Sequence, residues 1–270
     1  MDAKLERLKD ALRKADGVMV AFSAGVDSTF LLKMAHMVLG DRAIALTASS
    51  ATAPPGELVA AQEFAAGLAI RHIVIDSHEL ANPSFSQNPA NRCFFCKDEL
   101  YRICRDQADQ LGISTIMDGT NLDDLRDHRP GLKAAKEWGV RHPLVDAEMT
   151  KDDIRRYSRE LGLSTWDKPS SPCLSSRFPY GTEINLERLK QIAACELLMK
   201  ELGFREFRVR YHGDLARIEV AQDEFHRWFE KTTREAVVQK FKQIGFNYVS
   251  VDLQGYRTGS MNESLHRPST

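Results

Sequence analysis

Val18-Met19-Val20-Ala21-Phe22-Ser23-Ala24-Gly25-Val26-Asp27-Ser28-Thr29-Phe30-Leu31-Leu32 decides the fold. Its first five residues are an unbroken apolar run, short enough for a buried strand. Thr29 to Leu39 carries the spacing of a helix. Ser23 to Ser28 therefore lies where a strand ends and a helix begins. Small side chains there let backbone N–H groups come close to an anion, and the helix adds its own unpaired N–H groups and positive dipole end. Ser23 and Ser28 bring hydroxyl donors. Asp27 is itself anionic, so it suits a magnesium ion or the loop's own orientation rather than direct contact with phosphate. No Gly-Lys-Ser/Thr follows, which separates this loop from the Walker A type. The plainer alternative is a strand-to-helix turn with an Asp/Ser cap.

Working outward, Ala43 to Thr47 predicts a second strand, Glu57 to Leu68 a helix and Ile70 to Ile75 a third strand. Lys97 to Leu111 predicts another helix and Thr115 to Asp118 a fourth strand. Strands alternating with helices of about a dozen residues give βαβ units, hence an α/β fold with a doubly wound parallel sheet. Ala81 to Arg92 and Lys168 to Thr182 read as long polar loops, a class that is often functional. After Thr182 the pattern changes to helix Leu186–Leu202, strands Arg205–Tyr211 and Ala216–Val220, helix Arg234–Ile244 and strand Tyr248–Leu253. In that first helix Leu186, Leu189, Ala193, Leu197 and Met199 are expected near one face. The expected organisation is a domain over residues 1–182 and a smaller α+β domain over 183–270.

The 270 residues suit one core plus an appendage, and 43% hydrophobic content is ordinary for a globular protein. The 37 basic and 38 acidic residues leave a formal charge of −1, which gives no push toward nucleic acid or anionic membrane. Met1 to Lys14 reads as an amphipathic helix through Leu5, Leu8 and Leu12, without the apolar core of a signal peptide. No run of about 18 apolar residues is present, so no membrane span is expected. Five cysteines without a signal peptide point to a reducing cytoplasm rather than a disulfide framework.

Gly119-Thr120-Asn121-Leu122-Asp123-Asp124 follows the fourth strand. In a doubly wound sheet, ligands sit beyond the carboxyl ends of the strands, so this segment is expected beside the phosphate loop. Cys93-Phe94-Phe95-Cys96 opens a helix, and Cys173 lies in Ser171-Pro172-Cys173-Leu174-Ser175-Ser176-Arg177. Cys93 and Cys96 admit a zinc site completed by Cys173 and a histidine, a redox pair, or, with Cys173, an iron–sulfur cluster with one iron left open. Arg177 is expected to favour the thiolate of Cys173. Cys104 and Cys195 fall in helical patterns and read as small buried hydrophobes.

These residues carry a resemblance. Ser23–Ser28 resembles the PP-loop, SGGxDS, of the ATP pyrophosphatases, with Ala24 in place of the first glycine, a substitution compatible with negative φ. Gly119–Asp124 resembles the nucleotide- and metal-binding segment of PP-loop synthetases. Arg92-Cys93-x-x-Cys96-Lys97, Asp127-x-Arg129-Pro130-Gly131, the loop Ser171–Gly181 and Gly255-Tyr256-Arg257-x-Gly259-Ser260-Met261-Asn262 resemble the LarE family. These are ATP-dependent sulfur transferases that help build a nickel-pincer nucleotide cofactor. The resemblance spans about residues 5 to 263.

It implies that ATP and Mg²⁺ bind through Ser23, Ala24, Gly25, Val26, Asp27, Ser28, Thr47, Gly119, Thr120 and Asn121, with Asp27 and Asp124 on the metal. It implies adenylation of a carboxylate of pyridinium-3,5-biscarboxylic acid mononucleotide, followed by attack of Cys173 and release of a thiocarboxylate. In one branch that cysteine is sacrificed; in another, three cysteines hold a [4Fe-4S] cluster, and with Cys93, Cys96 and Cys173 this chain resembles the second branch. Asp27, Lys97, Cys173 and Arg177 are the expected catalytic residues. Ser176, Arg177, Glu196, Arg208 and Arg210 are expected at the substrate. A homo-oligomer is also implied, with neither nucleic acid nor membrane as partner.

The chemistry of the residues agrees. A carboxylate becomes a good electrophile once it carries AMP, and a soft sulfur nucleophile then attacks it readily at neutral pH. Arginine forks match phosphate and carboxylate, and Arg208 and Arg210 alternate along a strand, so they share one face. The competing readings are an amide-forming synthetase of the NAD or GMP type, a tRNA thiolation enzyme, and a non-enzymatic nucleotide-binding module with structural zinc.

Overall fold

The computed structural model describes residues 2–126 and 130–257. In chain order the elements are α1 (Ala3–Arg13), β1 (Val18–Ala21), α2 (Val26–Leu39), β2 (Ala43–Ser49), α3 (Glu57–Gly67), β3 (His72–Asp76), α4 (Pro83–Ser86), α5 (Arg92–Gln110), β4 (Thr115–Asp118), α6 (Gly131–Glu137), α7 (Pro143–Asp146) and α8 (Lys151–Glu160). They continue with α9 (Leu186–Glu201), β5 (Phe207–His212), β6 (Leu215–Val220), α10 (Lys231–Ile244) and β7 (Tyr248–Val251). Two compact units result. One holds residues up to Ser50, Gly56–Glu79 and Asn91–Ser171; the other holds Ala51–Pro55, Leu80–Ala90 and the chain from Pro172 onward. Of the loop at 168–182, residues 168–171 thus go with the first unit and 172–182 with the second.

In the first unit four parallel strands run in the order β3-β2-β1-β4. Period-two alternation divides the core. Val18, Val20, Ala43, Ala45 and Met117 face one cluster with residues of α1, α2, α3 and α8. Met19, Ala21, Leu46 and Ile116 face the other, with residues of α5 and α6. Helices on both faces make the sheet doubly wound, and the chain reverses its direction of travel between β1 and β4. Arg141 pairs alongside Met117, so β4 is covered on its outer side.

Helix boundaries differ from expectation at both motifs. α2 begins at Val26, not Thr29, because Gly25 takes extended backbone as the N-cap and Asp27 and Ser28 form the first turn. α5 begins at Arg92, so Cys93 and Cys96 sit inside its first two turns. The polar stretches 81–92 and 168–182 contain α4 and a short 3₁₀ turn, Leu174–Arg177. α6, α7 and α8 were not expected. α8 nevertheless carries a complete capping box between Thr150 and Asp153.

In the second unit β5 and β6 are antiparallel and β7 lies parallel to β6. Ile192, Cys195, Met199, Val209, Ile218, Phe241 and Phe246 form its interior. The expected face of α9 is only partly right. Leu186 and Leu197 are exposed, while Leu189, Ile192, Cys195, Glu196 and Met199 are buried. Among the described residues no helix is long and apolar enough to cross a membrane.

Candidate active site

The loop Ser23–Ser28 joins the carboxyl end of β1 to the first turn of α2, where a helix leaves its N–H groups without intrahelical acceptors. The Ser23 and Ser28 hydroxyls lie 3.1 Å apart, and the Ser23 N–H donates to Ser28 Oγ at 3.3 Å. Ala24 has φ of 54°, so the alanine stands in the left-handed region that the glycine of the resembled motif adopts freely. The condition under which an alanine would sit there without strain, a negative φ, is not met. Lys168 Nζ donates to the Ala24 carbonyl at 3.0 Å and pairs with Glu57 at 2.6 Å, holding the bend from beneath.

Beside the loop, at the reversal point, comes the tail of β4. A Cβ on Gly119 would lie 2.7 Å from the Ser28 nitrogen, so only glycine allows this approach. Asn121 is buried and holds the segment. Its Oδ1 accepts from the Asp123 and Asp124 N–H groups at 2.9 and 3.3 Å. Its own N–H donates to Asp124 Oδ2 at 3.1 Å, and its Nδ2 donates to Asp27 Oδ1 at 3.2 Å. Asp27 Oδ2 pairs with Lys151 Nζ, and the Lys151 N–H donates to Asp123 Oδ2 at 2.8 Å. The expected nucleotide residues of β1 and β4 are therefore adjacent. Lys151 and Lys168 were missed, although the Thr-Lys-Asp-Asp capping signature at 150–153 marks Lys151 as the first residue of a helix.

The Thr47 hydroxyl donates to the Phe22 carbonyl at 2.8 Å and accepts from His72 Nε2 at 2.8 Å. It fixes the strand end that feeds the loop.

Lys97, whose side chain is 40% exposed, lies beside the buried Asp118 at the end of β4. Asp118 accepts from Tyr101 Oη at 2.5 Å, His142 Nδ1 at 2.7 Å and the Thr120 N–H at 3.0 Å. Lys97 Nζ lies 3.8 Å from the same carboxylate. Burial by itself would raise the Asp118 pKa; the His142 hydrogen bond and the Lys97 charge overcome it and hold the carboxyl far below the usual range. Burial would likewise lower the Lys97 ammonium, but Tyr101, Asp118 and Cys96 raise it above the ordinary lysine value. Lys97 is thus a fixed cation. Room for its stem comes from Gly131, where a Cβ would lie 2.9 Å from Lys97 Cγ.

In the second unit the loop around Cys173 is organised by Arg177, which is 2% exposed. Its Nε and Nη2 form a fork on Glu196, each at 2.8 Å. Nη1 donates to the carbonyls of Pro172 and Cys173 at 2.8 and 3.1 Å and to Ser176 Oγ at 2.9 Å. Arg177 and Glu196, expected to meet substrate, meet each other, and Arg177 reaches the backbone of Cys173. Glu196 also accepts the Val209 N–H at 3.1 Å, joining α9 to β5. Arg210 donates to the Ser176 carbonyl at 2.8 Å and pairs with buried Glu219 at 2.7 Å. Arg208 reaches the Tyr256 hydroxyl and lies 4.8 Å from that ring's centre. Burial, then the neighbouring Arg177 charge, lowers the Arg208 guanidinium pKa, as expected where like charges crowd.

Cys93 is exposed and Cys96 and Cys173 are half-buried. Cys93 and Cys96 belong to the first unit and Cys173 to the second. Among the described residues no group of three or more His, Cys, Asp or Glu side chains is disposed to hold a metal ion. Cys104 and Cys195 are fully buried, as expected. Burial pushes the Cys104 thiol up to about 12 and the Cys195 thiol higher still. Asp127, Arg129 and Gly259–Asn262 lie outside the described residues.

No family model matches the chain. An uncharacterized protein of Synechocystis sp. is 43% identical over 98% of this chain and 99% of its own length. The pyridinium-3,5-bisthiocarboxylic acid mononucleotide synthase of Lactiplantibacillus plantarum is 37% identical over 97% of this chain and 95% of its own length. One component of the glutamine-hydrolyzing GMP synthase of Archaeoglobus fulgidus is 27% identical over 58% of this chain and 53% of its own length. The parallel sheet, its nucleotide-type loop and this last similarity place the fold in the PP-loop ATP pyrophosphatase class. With 37% identity to the synthase over nearly the full length of both, the chain belongs to the LarE family of sulfur-transferring enzymes.

Proposed function

We propose that the chain uses ATP to adenylate a carboxylate of pyridinium-3,5-biscarboxylic acid mononucleotide and then converts it to a thiocarboxylate. The observation that carries ATP use is the meeting of the Ser23–Ser28 loop with the Gly119–Asp124 tail at the reversal point of the sheet. The product named for the L. plantarum relative supports the sulfur chemistry.

The substrate carboxylate attacks the α-phosphorus and pyrophosphate leaves. Asp27 and Asp124, bridged by Asn121, form the two-carboxylate set that Mg²⁺ accepts alongside phosphate oxygens. When bound there, the ion neutralises charge on the phosphates. Lys151 brings a cation to the same place, and the α2 N-terminus supplies backbone donors. Arg208 and Arg210 take the substrate's phosphate and remaining carboxylate, while Arg177 and Glu196 hold the Cys173 loop in shape.

Cys173 Sγ then attacks the acyl carbon and AMP departs with its bonding electrons, leaving a thioester. Loss of the Cys173 Cα proton and cleavage of its Cβ–S bond release the thiocarboxylate and leave dehydroalanine. The alternative source is a [4Fe-4S] cluster on Cys93, Cys96 and Cys173. Iron and acid-labile sulfide in anaerobically prepared protein would support it. A mass loss of one H₂S at residue 173 after a single turnover would support the sacrificial route.

Cys173→Ala is expected to abolish thiocarboxylate formation while leaving pyrophosphate release intact, measured in single-turnover assays. Thiocarboxylate formed at the wild-type rate would remove Cys173 from sulfur delivery. A homo-oligomer is also proposed, to be tested by light scattering of the eluted protein.

A further inference from the structure

A buried carboxylate lies further along the same edge of the first unit and has no part in the steps above. Glu79 is 2% exposed. It accepts hydrogen bonds from the hydroxyls of Ser50, just past β2, and Ser77, just past β3. The backbone ladder runs on to this point, since the Ser77 N–H donates to the Ser49 carbonyl at 2.7 Å. Both serines are half-buried, whereas the carboxylate between them is buried.

A serine hydroxyl has one proton and two lone pairs. Once the proton is committed to a carboxylate, the oxygen can only accept, and the negative partner makes it a stronger acceptor. Ser50 and Ser77 are thus a pair of acceptors set by Glu79. Strands are spaced by about 5 Å, so the ends of β2 and β3 lie about 5 and 10 Å across the sheet from the strand carrying the phosphate loop. A nucleotide covers that scale between its 5′-phosphates and the far side of its sugar. The sugar of a ribonucleotide presents a vicinal diol, which is a pair of donors.

We infer that Ser50 and Ser77 recognise the 2′,3′-diol of the bound nucleotide, with Glu79 as the positioning residue that turns both hydroxyls into acceptors. The inference rests on the ATP reading above and deepens it, because it assigns the choice of ribonucleotide over deoxyribonucleotide to this trio. Glu79→Gln reverses the logic at one serine: the amide keeps one acceptor but offers an N–H₂ to the other hydroxyl, which must then turn its proton outward.

The test is calorimetric binding of ATP, 2′-deoxyATP and 3′-deoxyATP, with Mg²⁺, to the full-length protein. Wild type is expected to bind ATP about tenfold more tightly than either deoxy form, the worth of a net hydrogen bond. Glu79→Gln and Ser77→Ala are expected to bring at least one of these ratios close to one while leaving the affinity for the corresponding deoxynucleotide unchanged. Ser77→Ala removes a single hydroxyl, so it reads the same ratio if Glu79→Gln fails to fold. If wild type prefers ATP and both folded variants keep that preference, or if wild type binds all three alike, the diol assignment is overturned and the ATP reading stands. If wild type binds none of them, both fall together.

Discussion

At the scale of single residues, Ala24 illustrates how a motif can depart from its usual composition and keep its shape. A non-glycine residue in the left-handed region costs about 1–2 kcal/mol, and the loop retains it because Lys168 and the Ser23–Ser28 pair fix the neighbouring atoms. Ala24→Gly is therefore expected to stabilise the protein by about 1 kcal/mol in urea unfolding, the relieved strain being partly offset by greater freedom of the unfolded glycine. An unchanged or lower midpoint would contradict the strain. The loop itself was legible because its chemistry demands small residues at a strand–helix junction. The partners of Asp27 were less so: Lys151 is 124 positions away along the chain, and only the folded sheet brings it close. Thr47, Arg177 and Glu196 were recognisable as important by type and place. Their hydrogen bonds within the protein, to Phe22, to the Cys173 loop and to each other, join residues far apart in sequence and are encoded by no local pattern.

At the scale of elements, the buried Arg177–Glu196 fork ties together α9, β5 and the turn bearing Cys173. Glu196→Gln leaves a guanidinium buried without its counter-charge and is expected to cost about 3–5 kcal/mol in chemical denaturation. A loss below about 1 kcal/mol would show that the loop does not depend on the pair. α8 offers a pH test. Burial would raise the Asp153 carboxyl, but bonds from Lys4 and Thr150 bring it down to about 2. A folded-state pKa below the ordinary 3.8 stabilises the protein fully above about pH 5, and that contribution is lost as pH falls toward 2. Asp153→Asn is expected to narrow the stability gap from wild type over that window, by at most about 2 kcal/mol; a gap independent of pH would refute the linkage. α5 and α9 were easy to foresee because they are long. α6 and α7 were hidden by their brevity, and the inward face of α9 was misjudged because a charged residue, Glu196, occupies it.

At the scale of the whole molecule, a near-neutral chain of 270 residues places two differently built units in one sequence, a parallel doubly wound sheet and a small mixed one. The proposed chemistry divides likewise, with adenylation assigned to residues of the first and sulfur delivery to a cysteine of the second. The two activities should therefore separate genetically. Asp27→Asn is expected to suppress pyrophosphate release in a protein whose Cys173 thiol still reacts with alkylating reagents at the wild-type rate, as followed by mass spectrometry. Loss of both together would mean that the division is false. Within the first unit, the absence of a side chain at residue 119 has a mechanical corollary. The end of β4 and the start of α2 approach there too closely for any side chain, so even a methyl group at residue 119 would have to displace the Ser28 N–H, and with it the first turn of α2, before it could be accommodated.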